Sequence, residues 1–445
     1  MKRLLPFILP SIAFLLIIAT AYFFFNDFFH KFDDVYNRHY FFNEGFRWWI
    51  IRDAMCGWQE TGSPLVRCSY FTDPNGAEFK LYYPIESSGD DVGIYFFVPL
   101  IARLFSIEYM FAYKLLFSSL VFGGFVLSSV GFALLFRNFW TRFIANLLLG
   151  AFAFFCFYVF DVYVLAFTVI STVPITLWIW KKKKLKPLLI AAFLLGLLVG
   201  IANLFRDHSG TGLLLFLLIG LLFSGKQYLS LKPKVTLVGL LLLSFVIPKT
   251  GFYLLAKKRD AVLENHYGRK PEFGNFVNSH IFWHNVYLGL GYIENNKYGI
   301  EWSDMQALDR ANRYMKNQPE TSSPLFTLTY IPEEYESILK NEIFSILRKN
   351  PFFIMKTVTL KFFDILWKLL ICFNVGLVLL FLVKPPLKQW IPFAAGIAFY
   401  SLPALLVWPF PMYVLGALSL ILIACLLLLG NYLNKFLPQA KQPWQ

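Results

Sequence analysis

The chain has 445 residues, of which 57% are hydrophobic, 19% aromatic and only 15% charged. Soluble domains average nearer a quarter charged, so this composition excludes an ordinary soluble globular protein. The formal charge of +14 raises nucleic acid as a partner. The cations gather instead in short loops between apolar runs, as the positive-inside rule requires of membrane proteins, and nucleic acid is set aside.

Met1-Lys2-Arg3 is followed by an apolar run from Leu4 to Phe25. The run is too long for a signal-peptide core and no small-residue cleavage site follows, so it reads as a retained first span with a cytoplasmic N-terminus. Residues 26–107 form a first long outer loop. It opens with His30-Lys31-Phe32-Asp33-Asp34-Val35-Tyr36-Asn37-Arg38-His39 and continues into a helix-like stretch, Glu44 to Asp53, whose aromatics beside arginine suit the membrane interface. Turn residues (Gly62-Ser63-Pro64, Asp73-Pro74-Asn75-Gly76) then predict a short irregular or β section. The apolar run Gly93–Phe105 has about thirteen residues, short for a span, and is expected to be interfacial or re-entrant.

Further spans are predicted at about 109–136, 141–160, 162–180, 187–205, 211–224, 235–256, 365–384, 390–408 and 411–432, ten in all with the first. Counted this way, Lys181–Lys184, Lys226, Lys232, Lys384 and Lys388 fall on the cytoplasmic side, while Asp161 and Arg206-Asp207-His208 fall outside. Counting Gly93–Phe105 as a span would invert every later loop against that charge bias. A second outer loop, 257–364, contains an amphipathic helix expected to start at Pro332-Glu333-Glu334 and to be interrupted at Asn350-Pro351. The domain division is therefore 1–256, 257–364 and 365–445. The expected fold is an all-α polytopic membrane protein with two large extracytoplasmic loops. Of five cysteines, Cys156, Cys372 and Cys425 sit in apolar runs as packing residues. Cys56 and Cys68 share the first loop and can pair if that loop faces an oxidising compartment, although spacing sets no connectivity.

Asp33-Asp34 is the leading chemical feature, on a chain with only 27 acids. A single acid at a helix end reads as solvated; a pair beside the bilayer is costly unless used. Such a carboxylate can act as a general base, or help hold a divalent cation such as Mg2+ or Mn2+. Asp90-Asp91 is a second pair, of which one residue suffices as a helix N-cap and the other is unexplained. Arg206 and His208, in a short outer turn, suit a phosphate, with an interfacial anchor or an Arg206–Asp207 pair as the plainer reading. Lys257 and Arg259 are further cationic candidates unless they snorkel. His280 and His284 are four apart but lack a third metal ligand, which leaves them packed or at a substrate edge. Trp283, Tyr287 and Trp302 can stack on a sugar ring. No nucleotide-binding loop, dinucleotide fingerprint, nucleophile elbow or zinc motif is present.

Phe32-Asp33-Asp34-Val35-Tyr36 resembles the acidic motif that follows the first span in GT-C fold glycosyltransferases, above all the Phe-Asp-Glu-Val-aromatic/His pattern of protein O-mannosyltransferases. The long first loop and the Asn-Pro helix break are also similar. By that resemblance Asp33 matches the catalytic acid, and Asp34 stands where the family more commonly has Glu. A β-trefoil segment is missing from the second loop, so the resemblance extends equally to transferases acting on lipid-linked glycans or lipid A. What it implies is a polyprenyl-phosphate sugar donor and a lipid, glycan or protein acceptor; the short cytoplasmic loops and the lack of retention signals favour a bacterial inner membrane, with the long loops in the periplasm. The alternatives are an O-antigen-type polymerase or ligase relying on Arg206 and His280, and a lipid-linked glycan flippase or transporter. Transport fits less well because the spans carry so few charges.

Overall fold

The computed structural model describes residues 46–72, 76, 78–85, 92–159, 162–223, 230–267, 282–314 and 332–436. The predicted first span and the stretch 30–39 lie outside them.

The first loop builds a helix, α1 (Phe46–Thr61), and an antiparallel hairpin, β1 (Val66–Thr72) with β2 (Glu78–Pro84). The chain is thus not wholly helical. Aromatic residues populate both strands and β-branched ones β1, and Gly76 in the connection takes a positive φ of 85°. Helix α1 runs eight residues past the predicted Asp53 and ends at Gly62, whose φ is 69°. Next comes α2 (Val92–Phe105), 14 residues and too short to cross a bilayer. It packs through Ile94, Tyr95, Val98 and Ala102.

The membrane region follows as α3 (Tyr109–Leu135), α4 (Phe139–Val159), α5 (Val164–Ile170), α6 (Val173–Lys181), α7 (Leu185–Phe205), α8 (Asp207–Phe223) and α9 (Leu231–Tyr267). The second loop holds α10 (Phe282–Leu290), α11 (Asp304–Asn312) and α12 (Pro332–Lys349). The chain then closes with α13 (Pro351–Val383), α14 (Leu387–Leu406) and α15 (Leu415–Phe436). Seven helices among the described residues are long and apolar enough to cross a membrane, counting Val164–Lys181 as one, and eight if the two halves of α13 act together. This is an integral membrane protein. The predicted span at 211–224 forms within α8, whose apolar part, His208–Phe223, is shorter than those seven.

Two expected boundaries fall inside continuous helices. Helix α9 passes through 256 without a break, and α13 passes through 364. At 37 residues α9 is about 55 Å long, far beyond the ~30 Å hydrocarbon core. Its last turns leave the apolar region and carry the hairpin: Arg259 Nη1 donates to the Ile85 carbonyl at 2.9 Å, and His266 meets the Tyr82 ring edge-on. The charges at Lys257-Lys258-Arg259 lie within the helix and do not mark where it stops. At the other boundary Asn350 caps α13 through Phe353 N, and Pro351 fills its first turn, where a missing N–H costs nothing.

The second loop has its own core, in which α12 contributes Tyr335, Leu339, Ile343 and Ile346 on one face against Tyr287, Leu288, Ile300 and Ala307. It docks on the membrane region through Gly289, where an added Cβ would collide with the Leu406 carbonyl and lie 2.7 Å from Lys361 Nζ. Lys361 is buried and donates to the last carbonyls of α14, Leu406 O at 3.2 Å and Val407 O at 2.9 Å. Its N–H groups satisfy carbonyls that the helix end leaves without an intrahelical partner.

Candidate functional site

Arg206 occupies the single extended position (φ −156°, ψ 117°) between α7 and α8. The polar residues around it make that turn rigid. The side chain of Asn203, 4% exposed, donates to Thr211 Oγ1 and accepts from Gly210 N, both at 2.8 Å. One residue thereby ties the end of α7 to the start of α8. A second tie comes from α14. The Tyr400 ring sits in a slot between Gly212 and Gly416. Its hydroxyl accepts from Leu213 N at 3.0 Å and donates to Ser209 O at 2.8 Å. Those two backbone groups are an i, i−4 helical pair, so a side chain is inserted into the first turns of α8. Tyr400→Phe would leave both groups facing a ring without a partner. The expected cost is about 1–3 kcal/mol, read as a lower thermal midpoint in detergent; an unchanged midpoint would mean that α8 closes its own bond.

The Arg206 guanidinium lies over the Tyr163 ring, 4.8 Å from its centroid, and His208 is 6.3 Å from the same ring. Stacking on an aromatic face restrains a guanidinium. From Tyr163 an aromatic path continues through Tyr413 at 5.2 Å, Phe410, and Trp408 stacked on Phe410 at 5.8 Å. It then enters the second loop: Trp302 is 5.0 Å from Trp408, and Tyr292 meets Trp408 at 5.0 Å from the other side. Tyr292 donates to Asp364 Oδ2 at 3.3 Å, and Asp364 is paired with Lys368 one turn along α13. Burial and the Asp364 carboxylate push the Tyr292 hydroxyl up from its ordinary range, which keeps it a donor at neutral pH. One wall thus joins the turns after α4, α7 and α14 to the second loop, with cations at one end and an acid–lysine pair at the other.

Other predicted residues are placed elsewhere. Asp33, Asp34, Asp90, Asp91 and His280 lie outside the described residues. Arg259 is 1% exposed and engaged by Asp260 and the Ile85 carbonyl, while Lys257 is exposed over the Tyr253 ring. Both act on the structure around α9, away from the aromatic wall's named contacts. His284 is buried, its Nδ1 2.5 Å from the Tyr335 hydroxyl, and the backbone amides of Trp283 and His284 donate to the Glu336 carboxylate, which caps α10. Trp283 packs on Phe344 beneath Lys340. Tyr287 is 1% exposed within the loop core, and burial raises its hydroxyl to about 12. His284 and Tyr287 lie in the interior of the second loop, and Trp283 is half-buried against that core.

Sequence reasoning passed over Asp364, although Lys361, Asp364 and Lys368, spaced three and four apart at the entry to an apolar run, were a readable signal. It also passed over Asp53. That carboxylate is 6% exposed, paired with Arg67 at 3.3 Å and with Arg52, and it accepts from Ser69 Oγ at 2.6 Å, which binds α1 to β1. A group of three metal-ligand side chains among the described residues, Cys56, Glu60 and Cys68, carries two thiols. That set does not suit Mg2+ or Mn2+, which take oxygen ligands.

Comparison with family models, with curated proteins and with solved structures finds no match.

Proposed function

We propose that this chain is a membrane glycosyltransferase of the GT-C type, which moves a sugar from a polyprenyl-phosphate donor to a lipid, glycan or protein acceptor on the outer face of a bacterial inner membrane. The observation that carries this reading is the rigid Arg206–Tyr163–His208 group at the head of an aromatic wall. A fixed guanidinium at the ends of apolar helices suits a phosphate whose isoprenoid tail lies in the bilayer. Aromatic rings beside it suit the apolar faces of a sugar. In this reading the two halves of α13 act as one span, and the resulting eight spans, the short α8 and the run 4–25 together make up the ten-span topology.

The chemistry follows from the charges. Asp33 takes the proton from an acceptor hydroxyl, and that oxygen attacks the anomeric carbon opposite the phosphate. The bond from carbon to phosphate oxygen breaks, its electron pair leaves with polyprenyl phosphate, and the anomeric centre inverts. The phosphate gains a negative charge in this step, and Arg206 and His208 stabilise it as it develops. Asp34, Asp90 and Asp91 would position the acceptor or hold a divalent cation; no step above requires one.

The test is transfer of radiolabelled sugar from a panel of polyprenyl-phosphate donors in isolated membranes, comparing wild type with Asp33→Asn. The expected result is donor-dependent transfer by wild type and none by the variant, with both proteins inserted at equal levels. Full activity of Asp33→Asn would overturn the base assignment. Absence of donor-dependent transfer by wild type would overturn the transferase reading in favour of a polymerase or flippase.

A further inference from the structure

Helix α1 and strand β1 approach each other at backbone distance. A Cβ added to Gly57 would collide with the Val66 carbonyl oxygen and lie 2.7 Å from Val66 C and 2.9 Å from Arg67 C. Cys56 precedes that glycine and Cys68 follows that stretch of β1. Their Sγ atoms and a Glu60 carboxylate oxygen all lie within 4.8 Å of one another, with both thiols unbonded. A disulfide forms only where the two backbones already stand close, and here glycine has brought them together.

The same three side chains have the donor types of a metal site, but Glu60 is already committed. Lys80 Nζ pairs with its Oε1 at 2.7 Å and the Tyr82 hydroxyl donates to its Oε2. A cation bound there would meet the Lys80 ammonium at the same oxygen. The two thiols remain as the reactive partners.

We propose that Cys56 and Cys68 are a disulfide-forming pair that fastens α1 to the hairpin of the first loop. Cys56 is the more open thiol, whereas Cys68 is 1% exposed and burial holds it at about 12. Entry is therefore at Cys56, whose thiolate attacks an external disulfide and releases one thiol, forming a mixed disulfide. Cys68 loses its proton and attacks Cys56 Sγ, releasing the second thiol. The pair gives up two electrons and two protons, and the external disulfide is reduced to two thiols. This inference rests on the geometry of the first loop and is independent of the transferase reading.

The test uses the full-length protein purified in detergent, reduced, desalted and incubated with oxidised glutathione. Arg67 lies between the cysteines, so trypsin separates them into peptides 53–67 and 68–80. The expected product is these two peptides joined, two hydrogens lighter than their sum and free of glutathione. The oxidised protein should also show a higher thermal midpoint than the reduced one, a difference lost in Cys56→Ala and in Cys68→Ala. A persistent glutathione adduct on Cys56 with Cys68 free, or two thiols that stay reduced, would overturn the proposal. Thiols shielded from maleimide until a chelator is added would overturn it in favour of a metal site.

Discussion

Replacing Arg206 with alanine should lower donor-dependent transfer by about 10²–10³-fold, the range seen when one preorganised donor to a developing anion is removed. The loss should fall mainly on kcat. A sugar phosphodiester carries one negative charge in the ground state, and the departing phosphate monoester gains a second as the bond breaks. An interaction that strengthens along that path stabilises the transition state more than the bound donor. Arg206→Lys should recover only part of the rate, because a point charge on a flexible stem cannot reproduce a planar fork placed over the Tyr163 ring. The folding readout separates this from a structural effect. Arg206 is joined to Ala202 through its backbone, and the ties that hold the turn belong to Asn203 and Tyr400. The thermal midpoint of Arg206→Ala, measured beside the rate, separates the two: loss of rate with a retained midpoint assigns the effect to the phosphate, and a parallel fall in both assigns it to the turn. Transfer by Arg206→Ala at wild-type rates would remove the phosphate-binding role.

Gly289→Val should be the most damaging single change at the junction of the second loop. The Cβ alone collides with the Leu406 carbonyl, and the same position is 2.7 Å from Lys361 Nζ and 2.9 Å from the Val407 carbonyl. Neither helix-end carbonyl can retreat without giving up its bond to Lys361. Overpacking of this kind costs about 1–3 kcal/mol, and breaking the buried lysine's bonds adds to it. The consequence for activity comes through Trp302 and Tyr292, which meet Trp408 only while the loop is docked. Limited proteolysis should thus cut the second loop faster in Gly289→Val, and transfer should fall together with that protection. Wild-type protection in the variant would mean that the loop is held by contacts other than the Gly289 junction.

Much of the architecture could be read from residue order, because its causes are local. Apolar runs of about twenty residues have to form helices in hydrocarbon, where every backbone group needs an internal partner. Proline and asparagine punctuate helices through their own backbone chemistry, which is why the starts at Pro332 and Pro351 were found. Residue order was not enough where a local sign had a non-local explanation, although His284, read as packed or at a substrate edge, is indeed packed. The run Lys257-Lys258-Arg259 resembled a loop, yet α9 continues because Arg259 finds its acceptor at Ile85, 174 positions away. Tyr287 was read as a candidate stacking ring, and packing against α12 placed it inside a core.

The wall from Arg206 to Lys368 depends on such distant meetings throughout. Tyr163 meets Tyr413, and Trp302 meets Phe410, only because the turns after α4 and α14 and the second loop come together. Aromatics are so frequent in this chain that composition could not select these few. Membership of the helices is thus a property of short stretches, set by hydrophobicity and backbone hydrogen bonding. Membership of the site is set by helix packing at glycines such as Gly210, Gly212 and Gly289, where side-chain volume decides which polar groups can meet.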